Sequence, residues 1–261
     1  MKETALITGA SSGIGHDLTR LFARDGWDVV VVARSEEKLR ELAAELTREH
    51  GIAAHVLAAD LARPDAAADI VNTLTERGLT IGALVNNAGV GLTGPFVETD
   101  LRAELAMIQV NVVALTQLTK LLLPGMVARK RGRILNVAST ASFQPGPLMA
   151  VYYATKAYVL SFSEALAEEL RHTGVTVTAL CPGPTETGFV AAAGVGPSRL
   201  FSIMKPSSSA AVARTGYEAM KRGQRVVVHG LRNKLLVQSV RTSPRRLVTF
   251  IVRKLQENRR E

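Results

Sequence analysis

Only one cysteine, Cys181, occurs in the 261 residues, so no intrachain disulfide can form and a reducing, cytoplasmic setting fits. No window of about 18 uninterrupted apolar residues is present, which argues against a transmembrane span. The opening MKETALITGASSG has no basic region followed by an apolar one, which argues against a signal peptide. No linker rich in Pro, Gly or Ser divides the chain. There is no solenoid-like repeat and no low-complexity tract. No grouping of side chains reads as a metal site.

Negative charge is scarce in one place only. The formal net charge is +9, yet Lys221–Glu261 holds 12 Lys and Arg against 2 Asp and Glu, while the other 220 residues hold 20 against 21. The basicity therefore belongs to a tail. Such a tail suits nucleic acid, membrane lipid or an acidic partner, or simply makes a solvated basic face.

At 47% hydrophobic, the chain has material for a sizeable core. Short apolar runs alternate with longer amphipathic ones. Strands are expected at Thr4–Thr8, Asp28–Ala33, Ala53–Ala58, Ala83–Asn86, Arg133–Ala138, Val175–Leu180 and Arg225–Val228. Helices are expected at Ile14–Arg24, Glu36–His50, Asp65–Glu76, Leu101–Arg129, Tyr152–His172 and Ser208–Arg222, with Pro124 bending or ending the fourth. Strands separated by helices mean βαβ units, and their near-continuous Val, Ile and Leu content suits parallel strands covered on both faces. The expected fold is α/β, a Rossmann-like doubly wound parallel sheet. Residues 1–230 form the domain and 231–261 a basic, amphipathic helical extension. Residues 182–207, rich in Gly and Pro, read as a mobile loop region with one or two short helices.

After the first strand comes GASSGIG, Gly9 to Gly15. Glycines at a strand-to-helix turn let backbone approach a ligand, and the amides at the helix start suit a pyrophosphate. Further on, VYYATK puts Tyr152 and Tyr153 four and three residues before Lys156. Either spacing gives neighbours on a helix, so periodicity does not choose between the two phenols.

Several motifs, in order along residues 8 to 187, resemble those of the classical short-chain dehydrogenase/reductase family. They are TGASSGIG from Thr8 to Gly15, Asp60-Leu61, Asn86-Asn87-Ala88-Gly89, Asn111, Ser139, Tyr152 with Lys156, and Pro182-Gly183 with Thr187. The tail is similar to those of a subgroup with a basic C-terminal extension, some of them near acyl-chain and steroid reductases.

The resemblance selects Tyr152, thirteen residues after Ser139 and four before Lys156, and leaves Tyr153 to packing or to lining the cleft. It implies hydride transfer between a nicotinamide cofactor and a carbonyl or alcohol, with catalytic residues Asn111, Ser139, Tyr152 and Lys156. Tyr152 serves as acid or base, Ser139 holds the substrate oxygen, and Lys156 favours the phenolate and binds the nicotinamide ribose. Asn111 fixes a water in the proton path. The cofactor residues it implies are Gly9, Ser11, Ser12, Gly13, Ile14, Gly15, Asp60, Leu61, Asn87, Ala88, Gly89, Tyr152, Lys156, Pro182, Gly183 and Thr187. An acidic residue at the end of the second strand suits NAD(H), but Ala33 and Arg34 stand there. A guanidinium pairs with a 2′-phosphate, so NADP(H) is expected over NAD(H).

Ala141–Val151 and Pro182–Ile203 are expected to bound the substrate cleft. Phe143, Pro147, Leu148, Met149, Phe189, Val190, Val195, Leu200, Phe201, Ile203 and Met204 make these stretches apolar, with Gln144, Glu186 and Arg199 the main polar groups. A lipophilic carbonyl or alcohol fits such a wall. In the tail, Leu231, Leu235, Leu236 and Val240 fit one helical stripe. Leu247, Val248, Ile251 and Leu255 fit another after Ser243-Pro244. These helices are read as covering the cleft or a subunit interface, or as resting on an anionic membrane. Nucleic acid is disfavoured because Phe250 is the tail's only aromatic. Two other functions compete: a β-ketoacyl thioester reductase, and a dinucleotide-sensing or scaffold protein without turnover. The resemblance also implies a homodimer or homotetramer built on the helices 101–129 and 152–172.

Overall fold

A computed structural model describes residues 3–188 and 206–257. The strands are β1 (Thr4–Thr8), β2 (Asp28–Ala33), β3 (Ala54–Ala58), β4 (Ile81–Asn86), β5 (Gly132–Val137), β6 (Val175–Cys181), β7 (Thr185–Glu186), β8 (Ser207–Ser208) and β9 (Val226–Val228). The helices are α1 (Gly13–Arg24), α2 (Glu36–His50), α3 (Ala66–Glu76), α4 (Leu101–Ile108), α5 (Leu115–Ala128), α6 (Ala150–Glu169), α7 (Ser209–Lys221), α8 (Leu231–Thr242) and α9 (Arg245–Gln256).

Seven strands form one sheet in the order β3-β2-β1-β4-β5-β6-β9, every pair parallel. Both faces are covered, which is why β2 reads DVVVVA without alternation: Val29 to Val32 are fully or almost fully buried. Leu18, Phe22, Leu39, Leu46 and Tyr217 pack on one face, from α1, α2 and α7. Ile70, Leu74, Val110, Leu118, Met126 and Leu166 pack on the other, from α3 to α6. Burying each such side chain stabilises the fold by about 1.5–3 kcal/mol. The strand order reverses between β1 and β4, and a crevice opens outside the carboxyl ends of strands at such a point.

The expected helix 101–129 is continuous through Leu101–Ala128, but it is not α-helical throughout. Gln109–Ala114 is a π-helical segment joining α4 to α5, and Pro124 lies inside α5 without ending it. By length and mean hydropathy, 1.4 over its best window, this run is apolar enough to cross a membrane. Here its inner side, with Met107, Val110, Ala114, Leu118 and Met126, is buried in the protein.

The tail forms two helices, as expected, but their buried sides differ from the expected stripes. On α8 the side facing the protein carries Asn233, Val237 and Val240, while Leu231, Leu235 and Leu236 are exposed. On α9 it carries Val248, Val252 and Gln256, while Leu247 and Ile251 are exposed. Apolar spacing finds a helix's hydrophobic side, but a buried amide such as Asn233 or Gln256 leaves no apolar mark. The two-residue strands β7 and β8 were not expected, since two residues carry no period. The helices expected within 182–207, together with Phe189, Val190, Val195, Arg199, Leu200, Phe201, Ile203 and Met204, lie outside the described residues.

Candidate active site

A cleft of about 810 Å³ lies over the carboxyl ends of β1, β2, β4, β5 and β6. Its floor begins where β1 turns into α1. Gly9 and Gly13 have φ of +67° and +55°, a left-handed backbone that glycine adopts without strain. Space enforces the same choice, because a Cβ on Gly9 stands 2.7 Å from Asn87 Nδ2 and one on Gly13 stands 2.8 Å from Thr187 Cγ2. Ser12 caps α1 without a side-chain bond, and no acidic residue occupies the first turn, so the first amides of α1 are left to another acceptor.

The turn is held from behind. Thr8 Oγ1 accepts the amides of Asn87 and Ala88, both at 3.0 Å, and donates to Val85 O at 3.2 Å. Asn87 Nδ2 donates to the carbonyl oxygens of Thr8 at 2.9 Å and Gly9 at 3.2 Å. Asn111, in the π-helical segment, clasps Val90: it accepts from the amide and donates to the carbonyl, each at 2.9 Å. Deeper in, Asn86 donates to Thr119 and Asn136, and Asn136 to Ser163, a buried polar chain between α5 and α6.

At the other side of the cleft, Ser139 follows β5 and accepts the amide of Ala141 at 3.0 Å. Tyr152 and Lys156 project from α6, with Lys156 Nζ 5.9 Å from the Tyr152 ring centroid. Burial pushes the Tyr152 phenol above its ordinary range, while its hydrogen bond with the Ser139 hydroxyl pulls the other way. Burial pulls Lys156 down to about 8. Lys156 Nζ donates to Val137 O at 2.8 Å. Tyr153 stands edge-on to Tyr152, centroids 6.1 Å apart, and its hydroxyl accepts from Gln256 Nε2 of α9 at 2.8 Å.

Among the residues singled out in the sequence, Gly9, Ser11, Ser12, Gly13, Ile14, Arg34, Asp60, Leu61, Asn87, Ala88, Gly89, Ser139, Tyr152, Lys156, Pro182, Gly183 and Thr187 line this one cleft. Gly15 and Asn111 lie behind its wall. A side chain at Gly15 collides with Asn87 Nδ2 and the Gly9 carbonyl, and Asn111 is 1% exposed. Met149, just before α6, lines it as expected for the substrate side. Lys38 and Gln256 are among the lining residues that were not foreseen. Lys38 lies in the first turn of α2, four residues after Arg34, which precedes that helix. Gln256 reaches the cleft from the tail. Asn233 of α8 packs against Gly183, where a Cβ stands 2.5 Å from its Nδ2, so the tail is anchored beside the cleft at both helices.

Comparison with known proteins bears on this arrangement. Residues 3–195 match the model of the family described as short chain dehydrogenase. The very-long-chain 3-oxoacyl-CoA reductase of Anas platyrhynchos is 37% identical over 182 residues, 68% of this chain and 58% of that protein. The chain thus spans a little over half the length of that relative. A short-chain dehydrogenase from Sphingobium yanoikuyae, solved in complex with NADPH, has a TM-score of 0.83 at 34% identity, covering 99% of this chain and 100% of that one. A 7beta-hydroxysteroid dehydrogenase has a TM-score of 0.86 at 30% identity, with 96% of each chain covered.

Proposed function

The chain belongs to the short chain dehydrogenase family, and from that membership we propose that it is an NADP(H)-dependent oxidoreductase interconverting a lipophilic carbonyl and its alcohol, with 3-oxoacyl thioesters as the foremost substrate class. The observation that carries this reading is the meeting of Ser139, Tyr152 and Lys156 at one end of a single cleft whose other end holds Arg34 and Lys38.

The residues present fit a dinucleotide. The left-handed Gly9 and Gly13 and the uncapped first turn of α1 suit its pyrophosphate. Asp60, Leu61, Gly183 and Thr187 line the same cleft; the first two would face the adenine and the last two the nicotinamide. Arg34 and Lys38 have no carboxylate partner among the described residues and suit a 2′-phosphate. NADPH in the Sphingobium relative supports the same cofactor.

When bound, the dinucleotide supplies the hydride to the carbonyl carbon or receives it from the alcohol. The Tyr152 hydroxyl donates its proton to the carbonyl oxygen, and the Ser139 hydroxyl holds that oxygen in place. The phenolate left behind is favoured by the nearby Lys156 ammonium. Asn111 acts one step removed, holding Val90 and with it the loop of Asn87, Ala88 and Gly89 against the cleft. Ala106, Val110, Ala141 and Met149 give the substrate side apolar walls, and the name of the Anas relative points to acyl chains.

Two contacts belong to the same proposal. Leu101, Leu105, Leu121 and Tyr158 are exposed on α4, α5 and α6, which suits a homodimer or homotetramer built on those helices. The outer face of α8 and α9, with Leu231, Leu235, Leu236, Leu247, Phe250 and Ile251 exposed among arginines and lysines, suits the surface of an anionic membrane.

The test is oxidation of NADPH, with NADH in parallel, against lipophilic ketones, aldehydes and 3-oxoacyl thioesters. Turnover that is faster with NADPH is expected. Tight NADPH binding without turnover of any of them overturns the reading in favour of a dinucleotide sensor.

A further inference from the structure

Tyr153 does not touch the proposed chemistry, yet it is buried and held on several sides within the cleft. Its ring lies against Gly146, where any Cβ would collide with it. Ala141, Met149, Val248 and Val252 pack around it. The side chain is 7% exposed, and that of Gln256 is 4% exposed. Because Gln256 Nε2 donates to the Tyr153 hydroxyl oxygen, the phenol keeps its own proton with no acceptor among the described residues. Both side chains line the same cleft as Ser139 and Tyr152. A packed phenol with an unengaged proton is a preorganised donor, and its rotamer is locked by its surroundings.

We propose that Tyr153 and Gln256 form a second polar subsite, which recognises a carbonyl or other acceptor a few bonds from the carbonyl at Tyr152. The ligand class is therefore a 1,3-dicarbonyl such as a 3-oxoacyl thioester, rather than a simple ketone. This rests on the reading given above and sharpens it. The Tyr152 and Tyr153 ring centroids are 6.1 Å apart with the rings nearly perpendicular, and both side chains line the cleft, so one ligand there can face both. Tyr153 supplies the O–H donor. Gln256 orients it and adds its own amide. Burial also pushes the Tyr153 phenol above its ordinary range, with the Gln256 bond pulling back, so the group stays a neutral donor at physiological pH. The amide comes from the last residue of α9, so the basic tail contributes a specificity-determining group to the cleft.

The subsite differs from a bond that merely pins the tail, because a pin has no stake in the substrate's second oxygen. The experiment compares Tyr153→Phe, Gln256→Leu and Gln256→Glu in the full chain with wild type. One substrate is a 3-oxododecanoyl thioester of N-acetylcysteamine, and the other a monoketone of equal chain length. Tyr153→Phe removes one buried hydroxyl and keeps the ring, so it tests the site even if Gln256→Leu loosens the tail. Expected is a loss of roughly tenfold to a hundredfold in kcat/KM on the thioester, with the monoketone changed by less than about threefold. Equal losses on both substrates, following a fall in melting temperature, assign the pair to tail anchoring and overturn the subsite. The second readout is calorimetric binding of the thioester to the complex with NADP+, which has no hydride to transfer. If wild type turns over neither substrate but binds the thioester, and Tyr153→Phe weakens that binding at least tenfold, the reductase reading fails and the subsite stands. Unchanged binding in Tyr153→Phe overturns the subsite whatever the turnover.

Discussion

Lys156 Nζ donates to the carbonyl oxygen of Val137 at 2.8 Å, tying α6 to the last residue of β5 while the ammonium stands over the Tyr152 ring. Burial lowers this lysine from its ordinary 10.5 to about 8. Below pH 8 both folded and unfolded chains hold the proton, and the cost of a buried ammonium is fully present. Between 8 and 10.5 the folded chain releases it first, the unfolded chain binds more protons, and stability rises with pH. Above 10.5 the cost is gone. Lys156→Met has no such group. The stability of wild type relative to Lys156→Met is therefore expected to be flat below pH 8 and then to climb by up to about 1.4 kcal/mol per pH unit. Urea titrations of both proteins at pH 7, 8, 9 and 10 measure it, and a difference that ignores pH contradicts the lowered lysine. The variant is also expected to lose turnover.

The proposed reading gives the two adjacent tyrosines different work, and a monoketone substrate separates them. Tyr152→Phe is expected to lower kcat by about two to four orders of magnitude, the range for losing a positioned proton donor. NADPH binding changes little. Tyr153→Phe is expected to keep monoketone turnover within about threefold. A collapse of monoketone turnover in Tyr153→Phe, in a protein of unchanged melting temperature, assigns the proton to the wrong phenol.

Arg34 and Lys38 sit at the far end of the cleft, where no acidic side chain of β2 stands. Arg34→Ala is expected to raise the KM for NADPH by roughly tenfold to a hundredfold, the loss of a charge-assisted pair, and to leave that for NADH within about twofold. Lys38→Ala is expected to do the same more weakly, since an exposed ammonium is a more strongly hydrated point charge. Equal effects on both cofactors place these cations outside the 2′-phosphate site.

The α/β order was legible because most strands of the main sheet are runs of buried β-branched or aliphatic residues between amphipathic helices, and boundaries differ by up to three residues. The glycine turn was legible for the same reason that it exists: Gly9 and Gly13 have left-handed φ and neighbours too close for a Cβ. Choosing Tyr152 over Tyr153 was not a matter of period, since both spacings reach Lys156, and only family resemblance decided it. The structure gives the pair distinct partners, Ser139 for one and Gln256 for the other. That second partner was illegible because it lies 103 residues away and is a lone amide in an arginine-rich helix. The π-helical segment around Asn111 was hidden as well. Its residues are apolar at helical spacing, and a single widened turn leaves no separate mark in that pattern.

The tail's outer face gives the last prediction. Leu247, Phe250, Ile251 and Lys254 follow one another at helical intervals on α9, and all four are exposed, Phe250 at 59%. Leu231, Leu235 and Leu236 are exposed on α8, with Leu231 at 74%. Lys234, Arg241, Arg245 and Arg246 have no carboxylate partner among the described residues. Cations near an anionic bilayer contribute about 1 kcal/mol each, and buried apolar side chains add to that. The full chain is expected to sediment with vesicles containing phosphatidylglycerol, less with phosphatidylcholine alone, and less again as salt is raised. Leu247→Glu, Phe250→Glu and Ile251→Glu together are expected to cut vesicle binding at least tenfold, with turnover of a short soluble ketone retained. These three side chains do not line the cleft, so loss of vesicle binding with unchanged turnover separates the outer face of the tail from its inner one. If wild type stays in the supernatant while the triple variant shifts from dimer to monomer in light scattering, the face belongs to a second copy of the chain and the membrane reading is withdrawn.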